Sequence, residues 1–282
     1  MIVNPSRIPG DLSASAPKHD PEGTGEVYRL ACLELRGGNR AAVYQAELPG
    51  LDAWIACCPL LPATRGGDLY YLSVCSQGSI SRITLADVSG HGDDVGTLAE
   101  RLRDSMREHA DHWDQSALIR QLNDSFLKIS TEGKFATAVL LGHYVETGEM
   151  LFTNAGHPPP LWFRSGPCEW SLLQEETPYS KEIADLPLGI ISGTAYSQVA
   201  VQLEPGDLLL LYTDGIIEST NDRGEELGLK GLLELAQGLP AGSAAEAGST
   251  LLESVKRFRG EVPAKDDETV VALHCRPRSE GR

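Results

Sequence analysis

From residue 27 onward, short apolar runs alternate with Gly and Pro punctuation. Stretches 28–35, 41–46 and 54–58 are separated by Gly37-Gly38-Asn39 and Pro49-Gly50 and are expected to form antiparallel strands. A further strand is expected at 80–85. After Ser89-Gly90-His91-Gly92 the period changes, with Val95, Leu98, Ala99, Leu102 and Met106 recurring at helical spacing. A second amphipathic helix carries Leu118, Ile119, Leu122, Phe126 and Ile129 on one face, with Asp114 or Ser116 as its N-cap. Two successive helices of this kind must cover one face of a sheet. Segments 136–145 and 150–154 flank Glu146-Thr147-Gly148, a hairpin signal. The continuous apolar run 208–212 follows the turn Glu204-Pro205-Gly206-Asp207 and reads as a strand buried on both faces. Helical patterns at 227–239 and 244–258 precede a last strand at 269–275. Strands in runs, helices in pairs and strands again predict an α+β layered sandwich rather than a doubly wound sheet.

Composition narrows this picture. A chain of 282 residues with 41% hydrophobic content can bury one substantial core without disulfides. We expect residues 1–26, rich in Pro, Ser, Gly and charge, to form a disordered or loosely attached arm, and residues 27–278 to form one domain. A formal net charge of −16 and the lack of a basic stripe argue against nucleic acid or an anionic membrane as partner. The six cysteines show neither C-x-x-C pairing nor His partners at zinc spacing, so no zinc site is indicated, and most are expected to sit in apolar strand-like runs as small buried hydrophobes. The N-terminal stretch lacks an apolar signal region, and no run approaches the ~18 apolar residues of a membrane span, so the expected address is the cytoplasm.

The acidic excess has a sharper meaning at four places where an Asp meets a strand end or a turn. These are Asp68 after Gly66-Gly67, Asp87 before Val88-Ser89-Gly90, Asp214 before Gly215, and Asp266 beside Asp267. A strand end holds a carboxylate rigidly, and the neighbouring glycines let backbone approach a ligand closely. Oxygen donors without His or Cys suit Mg²⁺ or Mn²⁺ rather than zinc or copper. Four carboxylates brought together would repel one another unless cations neutralised them.

An ordered set of motifs extends this reading. Gly66-Gly67-Asp68, Ala86-Asp87-Val88-Ser89-Gly90-His91-Gly92, Phe135-Ala136-Thr137, Asn154-Ala155-Gly156-His157-Pro158, Leu186-Pro187-Leu188-Gly189, Thr213-Asp214-Gly215-Ile216-Ile217-Glu218 and Asp266-Asp267-Glu268-Thr269 follow one another in the chain. In kind and order they resemble the SpoIIE and RsbU branch of the PPM (type 2C) metal-dependent protein serine/threonine phosphatases, over about residues 54 to 275. The resemblance implies an αββα four-layer sandwich of two antiparallel sheets flanked by helices, with two Mn²⁺ or Mg²⁺ ions at one edge. It implies that Asp87 bridges the ions with help from the Val88 carbonyl, that Asp214 and Asp266 complete one shell, and that Asp68 serves the centre. Asp267 is the alternative ligand, at a position whose carboxylate need not touch metal. The implied reaction is hydrolysis of phosphoserine or phosphothreonine by a metal-activated water, and the implied partner is a phosphorylated STAS-type anti-anti-sigma protein. A catalytic unit of this kind would be regulated in trans or by oligomerisation, with a homodimer as one form.

Other residues carry two readings each. His91 beside Asp87 is either a general acid or a turn histidine; His157, between Gly156 and Pro158, reads as structural. Arg65 either meets a substrate phosphate or pairs with an acid. Asn123 and Asp124 read as a solvated helix face or cap, as do Asp93 and Asp94, which also lie near enough for an outer metal shell. A cysteine-phosphatase loop running from Cys58 to Arg65 is rejected on spacing and on its two intervening prolines. Where this branch usually has Gly-Gly-Asp-x-Tyr-Asp, the chain has Tyr71 in place of the second acid. That departure motivates a second hypothesis, a phosphatase-like module that holds a phosphoprotein without turning it over.

Overall fold

The structure, a computed structural model, describes residues 27–31, 35–74, 78–90, 93–109, 114–130, 133–173 and 185–277. The arm at 1–26, His91, Cys32 and Cys75 lie outside the described residues. The strands are β1 (Val27–Arg29), β2 (Leu35–Arg40), β3 (Ala42–Leu48), β4 (Leu51–Cys58), β5 (Arg65–Val74), β6 (Ile80–Val88), β7 (Ala136–Tyr144), β8 (Glu149–Ala155), β9 (Leu161–Arg164), β10 (Glu169–Leu172), β11 (Val199–Gln202), β12 (Leu208–Tyr212) and β13 (Glu268–Cys275). The helices are α1 (Asp93–Glu108), α2 (Gln115–Ile129), the short α3 (Asp214–Ile217), α4 (Gly228–Ala236) and α5 (Ala244–Arg259).

Two sheets form, ordered β1-β3-β4-β13-β12-β9-β10 and β11-β8-β7-β6-β5-β2. Leu48, Leu51, Ile55, Leu72, Ile83, Leu85, Leu211 and Val271 meet between them, each contributing roughly 1.5–3 kcal/mol by leaving water. The apolar stripes of α1 and α2 cover the outer face of the six-stranded sheet, where Val95, Leu102, Ile119 and Phe126 pack on Leu69, Val88 and Leu140. Helices α4 and α5 cover the seven-stranded sheet through Leu232, Leu251 and Val255 against Trp54 and Leu210. The four layers are those expected.

Local signals set the element ends. Asp114 caps α2 by accepting from the Ser116 and Ala117 amides, which satisfies donors that the first helical turn leaves unpaired. All five residues of β12 are buried, as its unbroken apolar run requires. Three expectations need correction. The run at 28–35 is not one strand: β1 joins the seven-stranded sheet and β2 the six-stranded one. The seven-stranded sheet is mixed, because β1 lies parallel to β3. Cys58 and Cys168 are exposed, unlike the buried Cys57 and Cys275. Among the described residues, no helix is long and apolar enough to cross a membrane.

Candidate metal centre

Sheet register brings the first two aspartates together. In the antiparallel pairing of β5 and β6, Asp68 stands opposite Asp87, and β7 places Thr137 opposite Asp87 on its other side. Directly opposed residues share a sheet face, and here it is the face turned toward the other sheet. From that sheet β12 leads through Thr213 into α3, whose first residue is Asp214, while Asp266 and Asp267 immediately precede β13.

One hydroxyl ties the halves. Thr213 Oγ1 donates to Asp68 Oδ2 at 2.7 Å and accepts from the Thr269 amide at 3.0 Å, linking β5, β12 and β13. Glycine is required at two contacts. A Cβ on Gly67 would stand 2.7 Å from the Val88 carbonyl oxygen and 3.3 Å from Asp87 Oδ1, and one on Gly215 would collide with the Asp267 carbonyl oxygen.

The electrostatics are those of acids sharing one edge. Burial, then the neighbouring Asp87, holds the Asp68 carboxyl well above the usual range, against hydrogen bonds from Thr269 and Thr213. Burial, followed by Asp214, Asp266, Asp267 and Glu218, pushes Asp87 up to about 8. Asp214 rises through burial and Asp266, and Glu218 rises through burial and Asp214. Among the described residues, Asp68, Asp87 and Asp214 have no ion-pair partner, and no three His, Cys, Asp or Glu side chains are gathered about a single point. The edge is a set of hard, mutually repelling oxygen donors, the donor chemistry that suits a divalent cation, although the side chains are not gathered into a closed ligand set.

The neighbouring acids have separate tasks. Asp266 is exposed, with Oδ1 accepting from the Asp267 amide at 2.8 Å. Asp267 spends its carboxylate on backbone, Oδ1 accepting from the Leu60 amide at 2.6 Å and Oδ2 from the Gly67 amide at 2.7 Å. It fixes the start of β5, whose Gly66-Gly67 pair leads into Asp68.

Several candidates lie elsewhere. Arg65 pairs with Glu100 of α1 at 3.1 Å. Tyr71 is buried against Leu118, Leu122 and Met106 beneath α1 and α2, on the face of β5 opposite Asp68, so its side chain takes no room from the acidic edge. Although its side chain is exposed, partial desolvation at the strand end and the nearby Glu268 raise the Cys58 thiol, which opposes a thiolate nucleophile. Asp93 opens α1, and Asp94 is exposed. Asn123 is not on a solvated face: it is 1% exposed, accepts from the Gly189 amide at 2.9 Å and donates to the Ile191 carbonyl at 2.9 Å. Asp124 accepts from the Ser192 hydroxyl at 3.1 Å. Together they hold Gly189, Ile191 and Ser192 against α2, which a helical wheel alone does not reveal.

Sequence reasoning also passed over Lys134. Its Nζ donates to the Ser89 carbonyl at 3.1 Å, one residue beyond Val88, and its place before Phe135-Ala136-Thr137 was the only available signal. His157 is buried, with Nδ1 2.8 Å from Thr137 Oγ1; burial pushes its pKa down to about 3, so the ring is neutral. Asn154 brackets the same residue, accepting from the His157 amide at 2.7 Å and donating to its carbonyl at 2.8 Å.

Known proteins are similar to this chain in sequence and fold. The phosphoserine phosphatase RsbU of Bacillus subtilis (strain 168) is 26% identical over 246 residues, covering 86% of this chain and 69% of RsbU. The structure of the RsbU and RsbW domains of Rv1364c from Mycobacterium tuberculosis superposes with a TM-score of 0.70 at 24% identity, over 86% of this chain and 63% of that one. The catalytic domain of the serine threonine protein phosphatase PstP, solved in complex with 2 manganese ions, superposes with a TM-score of 0.56 at 16% identity, over 80% and 99% of the two chains. The family model for stage II sporulation protein E (SpoIIE) matches residues 78–276, and the chain belongs to that family.

Proposed function

We propose that this chain is an active protein serine/threonine phosphatase that removes phosphate from phosphoserine or phosphothreonine of a regulatory protein. The observation that carries the proposal is the acidic edge, where Asp87, paired with Asp68 in one sheet, is raised by the charges of Asp214 and Asp266 at the end of the other. In this reading the four aspartates hold two Mn²⁺ or Mg²⁺ ions, assisted by the Val88 carbonyl. Bound there, such ions supply charge neutralisation for phosphoryl oxygens and acidify a water. The protein's own part is to fix the donors: Thr213 orients Asp68, Asp267 anchors the start of the strand that carries it, and β6 and β7 hold Asp87 in register. The manganese ions of PstP and the phosphoserine activity in the name of RsbU support the assignment.

A phosphorylated STAS-type anti-anti-sigma protein is the partner this reading favours, and the joined RsbU and RsbW domains of Rv1364c support a partner-switching context. The non-catalytic alternative rested on Tyr71, and the position of that side chain on the helix-covered face of β5 weakens it. The test is phosphate release from a phosphorylated STAS protein with and without Mn²⁺. Turnover that requires the metal and disappears in Asp214→Asn supports the assignment. A wild-type protein that binds the phosphoprotein but releases no phosphate at any Mn²⁺ concentration overturns it in favour of the binding module.

A further inference from the structure

The proposed centre is drawn from two sheets, so the gap between Asp87 and Asp214 depends on how the sheets are spaced at that end. Core side chains set the spacing in the middle of the sandwich; at the acidic edge those apolar rows have ended. We infer that His157 is a positioning residue that spans the sheets at this edge and sets the distance between Asp87 and Asp214. The inference rests on the metal-centre reading above.

Three observations carry it. On one side, His157 Nδ1 meets Thr137 Oγ1, and Thr137 is the β7 residue paired with Asp87. On the other side, Nε2 has no partner in full hydrogen-bond geometry, yet the group acting on the ring to favour a proton is the backbone of Tyr212, two residues before Asp214. The imidazole thus lies between the strand flanking one proposed ligand and the strand delivering the other. Finally, the ring cannot drift. Both backbone groups of His157 are held by Asn154, and the Tyr212 hydroxyl donates to the Pro159 carbonyl at 2.6 Å, closing the same turn onto β12.

The chemistry of a neutral imidazole suits the task. It has one acceptor and one donor at a fixed separation; in the tautomer this inference requires, Nδ1 accepts from the Thr137 hydroxyl and the Nε2 proton is directed to the β12 side of the edge. Groups that orient ligands without touching metal commonly change metal affinity by about 10–100-fold when lost.

The experiment is Mn²⁺ titration calorimetry on the wild-type protein, His157→Ala, His157→Asn and Thr137→Val, with thermal melting of each and phosphate release across a Mn²⁺ series. The expected result is at least about tenfold weaker Mn²⁺ binding in His157→Ala and Thr137→Val. Activity in both returns as Mn²⁺ is raised, and His157→Asn, which keeps an acceptor, recovers part of the affinity. If His157→Ala does not fold, Thr137→Val decides, because it removes one hydroxyl at nearly constant volume. Variants that melt earlier but bind Mn²⁺ as the wild type does overturn the inference, since a purely structural histidine predicts that pattern. A wild-type protein that binds no Mn²⁺ overturns the metal centre itself and this inference with it.

Discussion

The middle of the sandwich and its acidic edge are built from the same rows of side chains. Along β5 the inward positions run Leu72, Tyr70, Asp68; along β6 they run Ile83, Leu85, Asp87. Along β12 they run Leu209, Leu211, Thr213, and along β13 Leu273, Val271, Thr269, with Asp267 next in the row. Each row keeps the two-residue alternation of a strand and changes only in chemistry, from apolar to acid or hydroxyl, within its last steps. The core lowers the free energy of folding by excluding water, whereas the edge raises it by crowding carboxylates that burial and one another keep from ionising. Stability and proposed function thus occupy successive positions on one set of strands, and a substitution should change its effect as it moves from one to the other.

The sharpest way to break the contrast is to remove a charge from the edge. Asp87→Asn should lower kcat for phosphate release on the order of a thousandfold, which is about 4 kcal/mol of barrier and within what a bound cation supplies. In chelator, the same variant should melt higher than the wild type, because a buried, repelled carboxylate is gone. Loss of activity accompanied by lower stability in chelator would show that the edge is built like the core.

The converse substitution lies two steps inward from Thr213. Leu211→Ala, at a fully buried position, should cost about 2–5 kcal/mol in urea unfolding. Mn²⁺ affinity measured well below the transition should change little. If Mn²⁺ affinity fell as far as in an edge variant, the two regions would not be separable.

How far the sequence reveals each region follows from the same alternation. The aspartates stood out because each sits beside Gly or at the end of an apolar run, signals contained within a few residues. The layers followed from helical and strand periods. What escaped depends on pairing across long chain separations. Thr213 gains its role only when β12 meets β5, Asn123 only when residues 186–192 fold over α2, and Asp267 only when its carboxylate reaches Leu60 and Gly67. The run at 28–35 failed for a related reason: apolar pattern marks a strand but does not say which of two sheets receives it.

A smaller effect should appear as pH dependence. An unfolded chain releases the Asp87 proton near the ordinary aspartate value of 3.8, and the folded, metal-free protein releases it only near 8. Between those limits the folded state binds more protons, so stability should fall as pH rises from about 4 to about 8. One proton gives a slope of at most about 1.4 kcal/mol per pH unit. Saturating Mn²⁺ should flatten or reverse the slope, because the cation favours the ionised carboxylate. Urea midpoints measured across that range in chelator and in Mn²⁺ test the sign; stability that rises with pH in chelator would contradict the crowded edge.

The finest comparison is between the adjacent residues Asp266 and Asp267. Asp267 accepts two backbone amides, from Leu60 and Gly67, and an asparagine can accept only one of them while turning its NH₂ toward the other donor. Losing a hydrogen bond to a charged acceptor costs about 1.5–3 kcal/mol, but Asp267→Asn also removes a negative charge that raises both Asp68 and Asp87. These effects oppose each other, so the net loss of stability should be about 1 kcal/mol, with Mn²⁺ affinity reduced only modestly through the position of Asp68. Asp266→Asn should do the reverse, leaving the amides of Leu60 and Gly67 satisfied and removing most Mn²⁺ binding. Calorimetric titration of the two variants side by side separates a ligand from the residue that builds its frame. If Asp267→Asn lost the metal and Asp266→Asn kept it, the ligand would be Asp267, and its backbone bonds would have to give way when the cation binds.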